Sequence, residues 1–183
     1  MKIAITGGIA EGKSTALEVL RSEGLRVLSA DEIVRQLWSE PATLDSLNQL
    51  LSLENPTKGD VTQAIVESDT LRKVVNRYFH PLVHQRIVES DADAIEVPLL
   101  IETCMQSSVD QIWVVTCGSE EQLRRLSDRV GEAQARKLIR LQLPTRAKIP
   151  FADEVLRTNR PLRDVHTAIR QALARLRQTR SEI

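Results

Sequence analysis

Residues Gly7-Gly8-Ile9-Ala10-Glu11-Gly12-Lys13-Ser14 match G-x-x-x-x-G-K-[ST] at every fixed position. The apolar run Lys2 to Thr6 (KIAIT) precedes them and reads as a buried strand. Lys13 to Ser22 (KSTALEVLRS) follows and reads as a helix, with Gly24 as its stop. Strand before and helix after is the context that gives the motif its meaning. Glycines let successive backbone N–H groups face one anion, and the helix N-terminus adds unpaired donors and positive partial charge. Gly8, Ile9, Ala10, Glu11 and Gly12 are therefore phosphate-cradling positions. Lys13 is expected to reach the outer phosphates, Ser14 to ligate Mg²⁺ through its hydroxyl, and Thr15 to donate to an inner phosphate.

Glu11 is the odd letter in this loop. A carboxylate ~4 Å from a phosphate at surface-like dielectric costs several kcal/mol. Its side chain is therefore expected to point to solvent or to pair with Arg125 or Arg129. The motif does not name the nucleotide, because ATPases, GTPases and kinases share it. The guanine-reading N-K-x-D of many GTPases is missing from the sequence.

The rest of the chain continues the alternation. Leu25 to Ser29, Ala94 to Leu99, Gln111 to Thr116 and Glu154 to Arg157 read as further strands. Asp31 to Trp38, Thr43 to Leu53, Glu120 to Arg129, Glu132 to Leu143 and Pro161 to about Arg177 read as helices. Residues 61 to 90 read as one or two helices with Pro81 marking a start or break, "ENPTKGD" as a turn, and "PTRAKIPFAD" as an irregular link. The fold class is α/β: a parallel five-stranded sheet with helices on both faces. Right-handed crossovers place the loops after the strands on one edge, so Gly7 to Ser14, Ser29 to Asp31, Pro98 to Glu102 and Cys117 to Ser119 should gather there.

Composition removes other classes. The chain has 183 residues, enough for one domain with a small lid, and a formal net charge of zero. No basic excess argues for nucleic acid, and aromatics at 3% disfavour a base-stacking platform. No apolar run of about 18 residues is present, so no membrane span is expected. Cys104 and Cys117 form no C-x-x-C pair, which suggests reduced thiols in a cytoplasmic protein without a leader segment.

Asp31 and Arg35 stand one turn apart on the same helix face, just past the second strand. Asp31 either caps the helix or takes a proton from a substrate hydroxyl while Arg35 holds an anionic part of that substrate. His80 and His84 share a four-residue spacing with zinc pairs, but no third ligand is evident and the H-E-x-x-H glutamate is missing. Arg125 and Arg129 occupy one face of a charged helix, where a solvated face is the ordinary reading.

Taken in order, "TGGIAEGKST", "SADEIVRQLW", "FHPLV", "VPLLIE", "QLRRLSDR" and "LIRLQLP…K…AD…N" resemble dephospho-CoA kinase over nearly the whole chain. The resemblance implies transfer of the ATP γ-phosphoryl group to the ribose 3′-hydroxyl of dephospho-CoA, with Mg²⁺. ATP and dephospho-CoA are then the partners. It implies one kinase domain: a core of about 1–40, 91–118 and 151–183, an acceptor-side helical region of about 41–90, and a lid of about 119–150. Asp31 matches the family's base or acceptor-orienting aspartate, and Arg35 the arginine a turn later. His80, Pro98, Leu99 and Glu102 match acceptor-side positions. Arg125 and Arg129 match lid arginines, and Asn159 an asparagine near the adenine end of ATP.

The chain also departs from that family. Ala10 and Glu11 stand where the family usually has Gly and a small hydroxyl residue. Ser29 stands for a first aspartate, and Glu96 for an aspartate on the third strand. The stretch from Asp60 to Thr70 is shortened, with Thr62 in the place of a familiar arginine. Two other readings fit the loop: a kinase for a different small-molecule acceptor, and an ATP-binding regulatory module with impaired catalysis. The sequence carries no signal for oligomeric state.

Overall fold

A computed structural model describes residues 1–51, 57, 59–61 and 68–181. The chain forms two compact units, Met1–Leu28 with Asp91–Ile183, and Ser29–Ser90.

The sheet has five strands: β1 (Ile3–Thr6), β2 (Val27–Ser29), β3 (Ala94–Glu96), β4 (Gln111–Thr116) and β5 (Glu154–Arg157). Their order is β2-β3-β1-β4-β5. β1 pairs in parallel with β3 and β4, and β4 in parallel with β5; Ile3 stands opposite both Ala94 and Gln111. All four residues of β1 are buried, as a central parallel strand covered on both faces requires. The chain order reverses at β1, and the crevice beyond such a strand is where open α/β sheets bind ligands.

Two strands are shorter than their sequence suggests. The second begins at Val27 rather than Leu25. The third stops at Glu96 instead of Leu99, because the chain turns: the Leu100 N–H donates to the Val97 carbonyl and Met105 N–H to the Leu100 carbonyl. Pro98, with no N–H, could not have continued the ladder.

Helix α1 (Lys13–Ser22) lays Ala16, Leu17, Val19 and Leu20 into a core shared with Trp113, Val165, Ile169, Ala172 and Leu173. The larger of these side chains each contribute roughly 1.5–3 kcal/mol by burial. Three helical segments complete this side of the chain: α5 (Ser119–Val130), α6 (Glu132–Arg140) and α7 (Thr145–Lys148). The C-terminal helix α8 (Leu162–Ser181) supplies the core residues from Val165 onward. The stretch "PTRAKIPFAD" is thus more ordered than expected, with α7 followed by a single 3-10 turn, Ile149–Phe151.

The second unit holds α2 (Ala30–Leu37), α3 (Pro41–Leu51) and α4 (Asp69–Glu89); α2 and α3 both pack on α4. Pro81 neither starts nor breaks a helix but sits inside α4. A proline there costs about 3 kcal/mol. The buried row Val75, Phe79, Val83 and Ile87, at four-residue spacing, offsets it through burial of roughly 1.5–3 kcal/mol per large side chain. Trp38 meets Phe79 with ring centroids 5.3 Å apart. Ser68 caps α4, its hydroxyl accepting from the Leu71 N–H at 3.3 Å. In the expected turn, Asp60 accepts from the Thr57 N–H at 2.8 Å. Thr62 and most of the shortened stretch after Asp60 lie outside the described residues.

Candidate active site

The loop between β1 and α1 turns through Ala10 at φ 61° and Gly12 at φ 95°. A left-handed alanine costs roughly 1–2 kcal/mol, which gives a physical reason for glycine at that place in the family pattern. Gly7 is fixed by closeness: a Cβ there would sit 2.2 Å from the Val115 carbonyl oxygen. Gly12 leaves α1 without a side-chain cap, and the first turn of α1 carries no acidic residue. The first N–H groups of α1 therefore remain available to an anion.

Those groups open on a cavity of about 400 Å³. Lys13, Ser14 and Thr15 line it from the loop side, and Arg125, Arg129 and Arg160 from beyond it. The Lys13 ammonium donates to the Gly8 carbonyl at 2.9 Å and lies 3.9 Å from Glu96 Oε1. Ser14 is exposed. Arg125 is held in place: Nε donates to Glu121 at 2.7 Å and Nη2 to the Thr158 carbonyl at 2.7 Å. Hydrogen bonds from Arg124 first, then Arg125, hold the Glu121 carboxyl down at about 2, so this anchor stays ionised. Arg129 and Arg160 are exposed and make no ion pair among the described residues.

Glu11 contradicts the expectation from sequence. It neither points to solvent nor pairs with Arg125 or Arg129, being 1% exposed. Its Oε2 accepts from the Gly8 N–H and from the Thr145 hydroxyl, and its Oε1 accepts from the Thr116 hydroxyl at 3.1 Å. The side chain thus folds back beneath its own loop, where three donors replace the water it gave up.

Side chains distant in sequence fix the rest of the loop. Thr145 Oγ1 accepts from the Gly8 N–H at 3.1 Å, and Gln142 Oε1 from the Ile9 N–H at 2.9 Å. Gln122 Nε2 donates to the Ile9 carbonyl at 3.0 Å, and the Thr158 hydroxyl to the Glu11 carbonyl at 2.7 Å. Next to this network, burial first and the Glu11 charge second push the Cys117 thiol up to about 11.

Asn159 lines a second cavity of about 600 Å³ with Cys117 and Gly118; Arg125 and Arg160 line both spaces. Pro98 and Leu99 are half-buried in the turn after β3. The fully buried Lys148 donates to the Pro98 carbonyl at 2.7 Å and pairs with Glu102 at 2.8 Å. The Leu143 N–H also donates to Glu102, at 3.0 Å. The Glu102 carboxylate is therefore engaged within the protein.

In the second unit, Ser29 rather than Asp31 caps α2, its hydroxyl accepting from the Asp31 N–H at 3.2 Å. That leaves the exposed Asp31 carboxylate unused by capping, with Arg35 exposed one turn on. His80 is half-buried in α4, and burial lowers its pKa, so its imidazole is neutral at pH 7. Among the described residues, no group of three or more His, Cys, Asp or Glu is arranged to hold a metal.

Thr116, Gln122, Gln142, Thr145, Lys148, Thr158 and Arg160 escaped the sequence reading. Lys148 did stand as the lone K of a matching string, and Arg160 directly follows Asn159.

A glycine loop at the reversal point of a parallel sheet, an uncapped helix behind it and arginines converging from other elements suit a polyphosphate. The fold and this loop define a P-loop kinase. The shikimate kinase of Aquifex aeolicus shares the fold, with a TM-score of 0.58 at 18% identity over 95% of this chain and 96% of its own. The family model for dephospho-CoA kinase, CoaE, matches residues 1–164. The dephospho-CoA kinase of Geobacillus kaustophilus is 34% identical over 198 aligned positions, covering 97% of this chain and 96% of its own length. The structure of TT1252 from Thermus thermophilus superposes with a TM-score of 0.78 at 26% identity, covering 96% of this chain and 97% of that one. The chain belongs to the dephospho-CoA kinase family.

Proposed function

We infer that this chain phosphorylates dephospho-CoA with ATP, giving CoA and ADP, the ribose 3′-hydroxyl being the acceptor. The observation that carries this reading is the family match, which runs from the phosphate loop through Asp31 and the lid to Asp164. ATP phosphates would lie over the uncapped N–H groups of Lys13 to Thr15, with Asn159 toward the adenine. Contrary to the expectation for Gly8 and Ile9, their N–H groups are bonded to the side chains of Glu11, Thr145 and Gln142. Lys13 would exchange the Gly8 carbonyl for a phosphate oxygen.

Bound Mg²⁺ would neutralise charge on the β- and γ-phosphates. The Ser14 hydroxyl would hold it with Glu96 nearby, an all-oxygen donor set that suits a hard cation retaining several waters. Asp31 would orient the acceptor hydroxyl and take its proton, and Arg35 would hold an anionic part of the acceptor. His80, Pro98 and Leu99 would complete the acceptor side. Glu102 would serve it by fixing the 98–104 turn through Lys148. Arg125 and Arg129 would stabilise the moving phosphoryl group, whose charge spreads over three oxygens in the loose transition state.

Both cysteines are free, which agrees with a cytoplasmic setting. No helix of the described residues is long and apolar enough to cross a membrane.

The test is ADP release from Mg·ATP with a panel of acceptors: dephospho-CoA, a nucleoside monophosphate and shikimate. Turnover on the order of 1–100 s⁻¹ with dephospho-CoA alone is expected. Turnover only with another acceptor, or ATP binding without acceptor-dependent ADP, would overturn the reading.

A further inference from the structure

Glu11 is a buried acidic group at the centre of the site that the reaction does not use. It is fully hydrogen-bonded, by the Gly8 N–H and the hydroxyls of Thr116 and Thr145. No ion pair reaches it among the described residues. These two properties work against each other. The bond to Gly8 spans three residues and closes the first turn of the loop, on which Lys13 also leans through the Gly8 carbonyl. The bonds to Thr116 and Thr145 tie that turn to the end of β4 and the start of α7. The loop shape is thus held by the protein itself. The same side chain places negative charge under a loop built to attract anions, in a buried setting where water and salt screen little.

We propose that Glu11 is a positioning residue with two opposed effects: its hydrogen bonds hold the phosphate loop in its binding shape, and its charge loosens the grip on nucleotide so that ADP leaves. The proposal rests on the reading of this loop as the ATP site. Its sequence logic is that the neutral hydroxyl residue usual at this place in the family pattern would be too short to make all three bonds. Glutamate reaches them and brings a charge with them. Where product release limits a kinase cycle, weaker ADP binding raises turnover.

Glu11→Gln and Glu11→Ala separate the two effects. Glutamine keeps the length: its carbonyl can accept from Gly8, its amide can donate, and the threonine hydroxyls can rotate to suit. Only the charge is lost. Alanine loses both the bonds and the charge. Dissociation constants for ADP and ATP, measured by titration without acceptor, are expected to tighten about tenfold in Glu11→Gln and to weaken in Glu11→Ala. In turnover with dephospho-CoA, Glu11→Gln should lower KM for ATP and kcat together. A purely structural residue would weaken binding in both variants, and that outcome overturns the proposal. So does a Glu11→Gln affinity within twofold of the parent. If Glu11→Ala does not fold, Glu11→Gln decides alone. A parent protein that binds neither nucleotide would overturn the ATP-site reading as well, which separates the two failures.

Discussion

The phosphate loop and the interior of the 29–90 unit are each held by different forces. Around the phosphate loop, the Gly8 and Ile9 N–H groups and the Ile9 and Glu11 carbonyls all bond to side chains, from Glu11, Gln122, Gln142, Thr145 and Thr158. The buried Lys148 ties the turn after β3 in the same way. In the 29–90 unit the buried side chains are mainly apolar, Ile33, Leu37, Leu47 and the row along α4 among them, with Thr43 a polar exception, and the ion pairs Arg86–Glu40 and Arg72–Asp69 are at the surface. A backbone that grips an anion must be rigid, and polar side chains from other elements make it so. A unit that presents Asp31 and Arg35 needs only to hold a helix by packing, leaving its charged side chains to face outward.

Lys13→Ala should have the largest effect. Turnover is expected to fall by about 10³-fold or more, as when a principal electrostatic contact to the transferred group is removed. Steady-state ADP release measures it, and near-normal turnover would remove the loop from the chemistry.

A pair of variants sharpens the contrast in stability. Lys148→Met removes the donor from the Pro98 carbonyl and the partner from Glu102, and should cost about 1–3 kcal/mol in urea unfolding. The figure stays below that of a fully buried ion pair because Glu102 keeps some solvent contact. Arg86→Ala in the other unit should cost less than about 1 kcal/mol, since Arg86 and Glu40 are exposed. Equal costs would break the comparison.

The smallest effect is in thiol labelling. Cys104 is exposed and should react promptly at pH 8, whereas Cys117 is buried and its thiol is raised to about 11. Its reactive thiolate therefore becomes scarcer with every step of pH below that value, and labelling of Cys117 should climb only toward pH 11. Mass spectrometry of the labelled protein reads the two sites separately.

The parallel sheet and the phosphate loop were legible because both depend on local pattern: short apolar runs, glycines, and a helix after them. The side chains that hold the loop were not. Glu11 was misplaced because its partners Thr116 and Thr145 lie 105 and 134 residues away, and no local rule links them. Pro81 misled for the opposite reason. Its local cost was plain, but the four-residue row from Val75 to Ile87 that outweighs it takes effect only once α2 and α3 cover α4. The sequence puts Asp31 just beyond the second strand and leaves the choice between cap and acid open. The structure shows that Ser29 does the capping.

We propose that the phosphate loop with Lys13 holds ATP while Asp31 acts on the acceptor. Asp31→Asn tests it most directly, with ATP affinity and dephospho-CoA-dependent turnover measured on the same preparation. The ATP dissociation constant should stay unchanged and turnover should fall by about 10²–10⁴-fold, the range for a lost general base. Unchanged turnover, or loss of ATP binding in step with it, would contradict that division.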